Sequence, residues 1–186
     1  MNVKFILNTA VDPHFCVLFD EADNLIEKKN WENRKLDGSE MFEFLQKHEA
    51  EITFCGGITG PGGFSSLRAG GGILNAISVA HAIPVHQVRA DTWIEKIIGS
   101  EDFLLNSFSD GVFFVDGEDL ERITIDEAIV KFEQPMFVGL LPPEKQEKIE
   151  KTFDHSFENS EQVLLEVLKE STPQEQFHAD YEFPAV

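Results

Sequence analysis

A glycine-rich turn followed by an almost uncharged helix constrains this chain more than any other feature. Eight of its thirteen glycines fall between Gly56 and Gly72. The turn Gly60-Pro-Gly-Gly63 leads into residues 64–82, whose apolar spacing predicts a helix with Arg68 as its one strongly charged side chain. Such a helix has so little polar surface that most of its sides must be covered.

Gly70, Gly71 and Gly72 lie inside this predicted helix, where each costs about 1 kcal/mol relative to alanine. The simplest compensation is the close approach of another backbone, so the helix is predicted to be an interface. A buried guanidinium is too costly to leave unpaired. We therefore expect Arg68 to pair with a carboxylate of this acidic chain and to anchor the helix start; an anion ligand is the alternative.

The other elements are predicted from hydrophobic periodicity and turn residues. Polar turns separate three apolar runs near the N-terminus, which indicates an antiparallel meander. Asp37-Gly-Ser-Glu40 predicts a capping box at the start of an amphipathic helix that carries Met41 and Phe44. The predicted strands are 3–10, 14–19, 25–31, 52–55, 84–88, 103–108, 111–115, 122–125 and 136–141, and the predicted helices are 39–50, 64–82, a short one from Asp91, 126–132, one opened by Pro142-Pro143, and 159–169.

Length and charge limit the domain organisation and the partners. A chain of 186 residues suits one domain or two small lobes, and the change of pattern near residue 100 predicts lobes at 1–99 and 100–186. A formal charge of −19 opposes direct contact with nucleic acid and with anionic lipid. No run approaches the ~18 apolar residues of a membrane-spanning helix. We expect a cytoplasmic protein, with Cys16 and Cys55 as buried free thiols.

Two candidate ligand sites are weak on their chemistry. The glycine-rich turn could cradle a phosphate through loop amides, Ser65 or Ser66. It lacks the Lys-Ser/Thr pair of a nucleotide-binding P-loop, which favours a tight strand-to-helix turn. Pro84 separates His81 from His86 and removes the helical spacing of a metal-binding pair. No cofactor and no metal are predicted.

Residues 60–70 resemble the signature of the TsaB (YeaZ) family, bacterial proteins of tRNA threonylcarbamoyladenosine biosynthesis. Family members carry Gly-Pro-Gly-Ser-Phe-Thr-Gly-Leu-Arg-Ile-Gly at the entry to a helix, and this chain has Gly60-Pro-Gly-Gly-Phe-Ser-Ser-Leu-Arg-Ala-Gly70. The strand Ile6-Leu-Asn-Thr-Ala10 is similar to the family's strand ending in Asp-Thr-Ser, with Asn8 where the family has Asp. The likeness extends over residues 3–98 and is weak beyond them.

The resemblance implies an α/β, actin-like ATPase (ASKHA, RNase H-like) fold, a mixed sheet with flanking helices, with a complete N-terminal lobe and a reduced second lobe. It also implies a non-catalytic scaffold subunit. The expected partner is a TsaD-like subunit that transfers threonylcarbamoyl to adenosine 37 of tRNA, and a TsaE-like ATPase is a further expected partner. Alone, the chain is expected to form a homodimer.

The same resemblance places a partner surface on helices 39–50 and 64–82. Two alternatives stay open. One is an actin-fold ATPase or phosphotransferase, against which Asn8 lacks the carboxylate that would organise Mg²⁺. The other is a protein-binding module unrelated to tRNA modification. The expected partner-binding residues are Met41, Phe44, Phe64, Leu67, Arg68, Gly71, Leu74, Asn75 and Ser78, and the motif turn is Gly60, Pro61, Gly62 and Gly63.

Overall fold

The computed structural model divides the chain into two compact units. The first comprises Met1–Ala90 and Leu164–Val186, and the second Asp91–Val163. In the part of the chain that the structure describes, no helix combines the length and the hydrophobicity that a membrane span requires. The structure describes residues 2–31, 38–47, 51–100, 102–107, 111–116, 119–131, 136–138, 145, 147–148 and 159–180.

The elements match the periodicity of the sequence closely. Asp37 and the residues around Pro142 lie outside the described part of the chain, so the predicted cap and the start of the helix there are not described. The strands are β1 (Asn2–Asn8), β2 (His14–Phe19), β3 (Leu25–Trp31), β4 (Glu51–Ile58), β5 (Val85–Val88), β6 (Asp102–Asn106), β7 (Gly111–Asp116), β8 (Asp119–Thr124) and β9 (Phe137–Val138). The helices are α1 (Gly38–Lys47), α2 (Phe64–His81), α3 (Ala90–Ile98), α4 (Ile125–Lys131) and α5 (Ser160–Glu170).

The first unit is built on a mixed five-stranded sheet in the order β3-β2-β1-β4-β5. β1, β2 and β3 form the predicted antiparallel meander, whereas β4 pairs in parallel with β1 and with β5. Parallel neighbours need a crossover connection, which α2 provides between β4 and β5. The carboxyl ends of β1, β4 and β5 therefore lie at the same edge, and the glycine-rich turn follows β4 there.

Helices cover both faces of this sheet. Val3, Phe5 and Leu7 alternate along β1 and join one core cluster with Met41 of α1 and Leu74 of α2. The two central glycines of β4 show which helix covers which face. A Cβ on Gly57 would lie 2.7 Å from Leu74 Cδ1, whereas one on Gly56 would lie 3.1 Å from Leu168 Cδ1 in α5. Because neighbouring strand residues point to opposite faces, α2 and α5 cover opposite sides.

The second unit contains a four-stranded sheet in the order β8-β7-β6-β9. Its core cluster includes Leu104 of β6, Phe114 of β7 and Ala128 of α4. Lys145 is buried here, and its Nζ donates to Asn106 Oδ1 at 3.1 Å and to the carbonyls of Ser107 and Gly111 at 2.7 and 2.8 Å. The sequence pattern did not identify this buried lysine, because it lies among charged residues typical of a solvated face.

The C-terminal segment is placed differently from the sequence-based prediction. The prediction assigned residues 100–186 to the second lobe, whereas α5 from Leu164 and the segment after it belong to the first unit. The reason is long-range pairing. Val85 and Gln174 form an antiparallel bridge at the edge of the first sheet, and Leu168 packs against β4. A boundary drawn from local pattern alone does not detect such contacts.

Candidate partner surface on α1 and α2

α1 is held on the sheet by its apolar face and by two polar contacts. Met41 and Phe44 are buried in the core. Trp31 Nε1 donates to Glu40 Oε2 at 3.0 Å, and Lys47 Nζ lies 2.8 Å from Glu27 Oε2, so both ends of the helix are tied to β3. The opposite side of the helix, which includes Phe42, is exposed.

α2 is seated closely on the sheet through small residues and leucines. Leu67 and Leu74 are fully buried. A Cβ on Gly70 would overlap Thr9 Oγ1, so this glycine lets the helix approach the end of β1. Close approach is therefore the reason for Gly70, but the neighbour is the chain's own Thr9 and not a partner.

A groove lies between α1 and α2, with a volume of about 820 Å³. Apolar side chains form most of its lining. Phe42 on α1 is 60% exposed and Val79 on α2 is 82% exposed, so large apolar side chains face solvent on both helices. The lining residues are Val3, Leu18, Met41, Phe42, Leu45, Gln46, Ile52, Ile73, Ala76, Ile77, Ala80 and His81, and we call this set the α1–α2 groove.

Arg68 is exposed, which contradicts the prediction of a buried structural anchor. Within the described part of the chain, its side chain has no hydrogen bond or ion pair. Helical periodicity explains the position: Leu67 and Gly71 face the interior, and Arg68 falls between these positions on the outer side with Gly72 and Ala76. The guanidinium is therefore solvated.

Gly71 faces the chain's own C-terminal segment. A Cβ on this residue would lie 2.8 Å from Phe177 Cδ1, and Phe177 is 6% exposed. The prediction that Gly71 contacts a partner is thus replaced by an intramolecular contact, since residues after α5 cover this side of α2. Gly72, in contrast, has nothing within 4 Å of its Cβ position among the described residues and lies on the open face.

The remaining predicted partner residues divide into buried and exposed sets. Ser78 is 7% exposed, and its Oγ donates to Ile83 O at 2.6 Å at the end of α2. Asn75 is half-buried and binds the backbone of Phe177. Phe64 is 42% exposed. Met41, Phe44, Leu67 and Leu74 are core residues, so their side chains support the surface from below.

The sequence-based prediction included the exposed Phe64 and Arg68 but missed the outward-facing side chains at and beside the groove. Phe42, Ala76, Val79 and Ala80 are exposed, and Ile73 is half-buried at the groove. A signal was present: Phe42 and Val79 are apolar residues outside the stripe that packs on the sheet. The prediction followed the apolar stripe, so most of its partner residues face inward and these two are absent from it.

The glycines of the motif turn let it pack closely against neighbouring backbone. The Gly60–Pro61 peptide is cis, and Gly60 has φ +140°, a conformation that side chains disfavour. A Cβ on Gly62 would lie 2.6 Å from Ala10 O, so the turn packs against the loop after β1. Ser66 Oγ donates to Gly63 O at 3.0 Å. The close packing agrees with the tight-turn interpretation.

Asn8 closes the turn between β1 and β2 with its whole amide group. It is fully buried, and its Nδ2 donates to Val11 O at 2.8 Å and to Pro13 O at 3.1 Å. Its Oδ1 accepts the amides of Ala10 and Val11 at 3.1 and 3.2 Å. A carboxylate could not donate the first two bonds, so asparagine fits this position and leaves no free oxygen aimed at a ligand.

The thiols are placed as the sequence predicts. Cys16 and Cys55 are buried and free. Burial raises the pKa of the Cys16 thiol strongly and raises that of Cys55 to about 12. No group of three or more His, Cys, Asp or Glu side chains in the described ranges is arranged to hold a metal ion.

Known proteins resemble this chain by fold and not by sequence. No protein-family model matches, and no curated protein matches. Among solved structures, YeaZ from Pseudomonas aeruginosa has a TM-score of 0.61 and 15% identity, covering 97% of this chain and 100% of that one. A structure described as an uncharacterized protein with similarity to peptidase YEAZ from Pseudomonas aeruginosa has a TM-score of 0.62 and 16% identity, with 97% and 99% covered.

The structural likeness extends over 97% of this chain and therefore over both units. The mixed sheets and flanking helices agree with the predicted fold class. The chain is an α/β protein with the actin-like fold of YeaZ.

Proposed function

We propose that this chain is a TsaB-like scaffold subunit, which supports threonylcarbamoyl transfer to adenosine 37 of tRNA by a TsaD-like partner. The observation that carries the proposal is the α1–α2 groove, an open apolar surface on the two helices where the family resemblance implies a partner surface. The fold of YeaZ and the motif of residues 60–70 at the entry to α2 support it.

The shape and chemistry of the groove suit a partner helix. Exposed contiguous apolar surface marks interaction sites in soluble proteins. Gly72, Ala76 and Ala80 give α2 an outer side with little bulk, so another helix can approach its backbone closely. Phe42 and Val79 supply large apolar side chains beside this low surface. An amphipathic helix laid into an apolar groove is a common mode of recognition.

In this proposal the role is structural rather than catalytic. Asn8 uses its amide to hold the β1–β2 turn, and the motif turn is packed against Ala10. The same groove is proposed to pair two copies of the chain when no partner is present. A TsaE-like ATPase would join the assembled pair, and tRNA would be bound by the partner because this chain carries a charge of −19.

The test is the modification itself. In cells depleted of this chain, tRNA is digested and threonylcarbamoyladenosine is quantified by mass spectrometry. We expect the modification to be lost and to return with the wild-type chain. The variant Ala76→Glu places a charge on the exposed groove and is expected to fail. Val130→Glu is the matched control, because Val130 is 88% exposed on α4, away from the groove residues in sequence and in the other unit.

The outcomes separate the function from the surface. Normal modification in depleted cells would overturn the scaffold role and favour a protein-binding module of another pathway. Full restoration by Ala76→Glu would retain the role and overturn the groove as its surface.

A further inference from the structure

We propose that the edge of β5 and the slot at Gly71 form a second docking groove, which takes an extended peptide with an aromatic anchor and a carboxylate three residues later. The chain's own tail segment, defined as residues 172–180, occupies this groove and competes with such a peptide. The proposal is independent of the scaffold role, because it concerns the other side of α2.

The first element of the groove is a strand edge. Val85 N–H donates to Gln174 O, and Gln174 N–H donates to Val85 O, each at 2.9 Å. His178 N–H donates to the side chain of Gln87 at 3.0 Å. An edge strand offers unpaired backbone groups that readily bind another extended chain. The tail segment uses β5 in this way.

The second element is an aromatic slot. The ring of Phe177 lies against Gly71, where any Cβ would come within 2.8 Å of Cδ1. Asn75 Oδ1 accepts a hydrogen bond from Phe177 N–H at 2.6 Å, and Asn75 Nδ2 donates one to Phe177 O at 3.4 Å. The slot thus binds the backbone of Phe177 through Asn75 and its ring through packing on Gly71. These two kinds of contact to one residue make Phe177 the anchor of the segment.

The third element is a cation at the far end. Asp180 N–H donates to Thr59 O at 2.8 Å, and Arg89 Nη1 lies 2.6 Å from Asp180 Oδ2. Three recognition points therefore follow one another along the tail segment: a backbone pair, an aromatic ring and a carboxylate. A partner segment with the same order would satisfy all three.

Much of the occupant is exposed, so it can open locally and exchange with a competing peptide. Within the tail segment only Phe177 is buried, and residues 172–176 are exposed. Segments with few buried contacts open locally without global unfolding. A tethered occupant also has a high effective concentration, so it weakens binding of a free peptide until it is displaced.

The experiment uses the full chain with Phe177→Ala, which empties the slot, and a fluorescein-labelled synthetic peptide of residues 172–180 followed by anisotropy. We expect saturable binding to this variant, at least tenfold weaker binding to the wild type, and no binding of a peptide with alanine at the Phe177 position. His178→Ala is the matched control, because its side chain is exposed, and it should behave as the wild type.

A second variant and a second measurement complete the test. Adding Gly71→Leu to Phe177→Ala fills the slot and should abolish binding. Failure of the folded Phe177→Ala variant to bind, or equal binding of both peptides, would overturn the proposal. If that variant does not fold, hydrogen exchange of the wild type decides: amides of Phe177 and Asp180 should exchange at least tenfold faster than that of Cys55. Equal rates would show that the tail segment never opens alone.

Discussion

The side-chain amide of Asn75 forms hydrogen bonds with both backbone polar groups of Phe177, its N–H and its carbonyl. Asn75 Oδ1 accepts the Phe177 amide at 2.6 Å, and Asn75 Nδ2 donates to the Phe177 carbonyl at 3.4 Å. The two residues are 102 positions apart in the chain, and the contact joins the middle of α2 to the segment after α5. It explains why a helix with little polar surface is covered on this side by the protein itself.

These two hydrogen bonds should contribute measurably to the free energy of unfolding. Asn75→Ala removes both hydrogen bonds, and we expect a loss of about 1–2 kcal/mol in the free energy of unfolding, since a typical bond contributes about 1 kcal/mol. Asn75→Asp keeps the shorter bond as acceptor but sets a carboxylate oxygen against the Phe177 carbonyl, so it should also be destabilised. Urea unfolding followed by circular dichroism compares the midpoints. Equal midpoints for both variants and the wild type would contradict the assignment.

Asn8 should contribute to the stability of the fold. Asn8→Asp leaves the carbonyls of Val11 and Pro13 without their donor in a buried site, so we expect a loss of about 2–3 kcal/mol in the free energy of unfolding at pH 7.

Asn8 also gives a prediction about nucleotide, because its side chain leaves no free oxygen aimed at a ligand. The wild type should not be stabilised by millimolar ATP-Mg²⁺ in a melting experiment. A ligand at 100 times its Kd would add about 2.7 kcal/mol, which is readily detected. A clear shift would favour the actin-fold ATPase or phosphotransferase.

Arg68 should be dispensable for folding. Its side chain is exposed, so Arg68→Ala should change the free energy of unfolding by no more than about 0.5 kcal/mol. Leu67→Ala, one residue away and fully buried, is the contrasting variant and should cost about 2–5 kcal/mol. Chemical denaturation measures both. A large loss of unfolding free energy for Arg68→Ala would show that Arg68 is a structural anchor after all, as the sequence predicted.

The cysteines give a prediction in pH. Burial raises the pKa of both thiols, that of Cys55 to about 12. The reactive species is the thiolate, which forms only as pH approaches the pKa. At pH 8 the folded chain should therefore resist iodoacetamide, and both thiols should react after denaturation in urea. Mass spectrometry counts the adducts. Rapid alkylation of the native chain at pH 8 would show that the thiols are accessible.

Hydrophobic periodicity predicted most of the helices and strands. It predicted few of the side chains exposed on the candidate partner surface. The bounds of β2 and β3 agree with the sequence-based prediction, and α2 differs from it by one residue at its end. These elements are set by alternation and helical spacing, which a single sequence displays. The actin-like fold was predicted from the resemblance of residues 60–70 and not from periodicity.

The errors concern contacts between residues distant in sequence. Gly71 was expected to meet a partner because it lies among three consecutive glycines of a nearly uncharged helix. Nothing near it in the chain indicates that Phe177 fills that side. Arg68 was expected to be buried, although its spacing from Leu67 and Gly71 places it on the outer face. Lys145 lies among charged residues typical of a solvated face, yet three oxygens from other parts of the chain surround its ammonium group.

The most direct test of the central claim is association of the purified chain with a TsaD-type protein from the same organism, measured by analytical ultracentrifugation. We expect a defined complex with the wild type and with Val130→Glu. Ala76→Glu and Phe42→Glu, which place a charge in the α1–α2 groove, should weaken it at least tenfold while the melting temperature of each variant stays close to that of the wild type. No complex with the wild type, or undiminished association of the folded groove variants, would contradict the account.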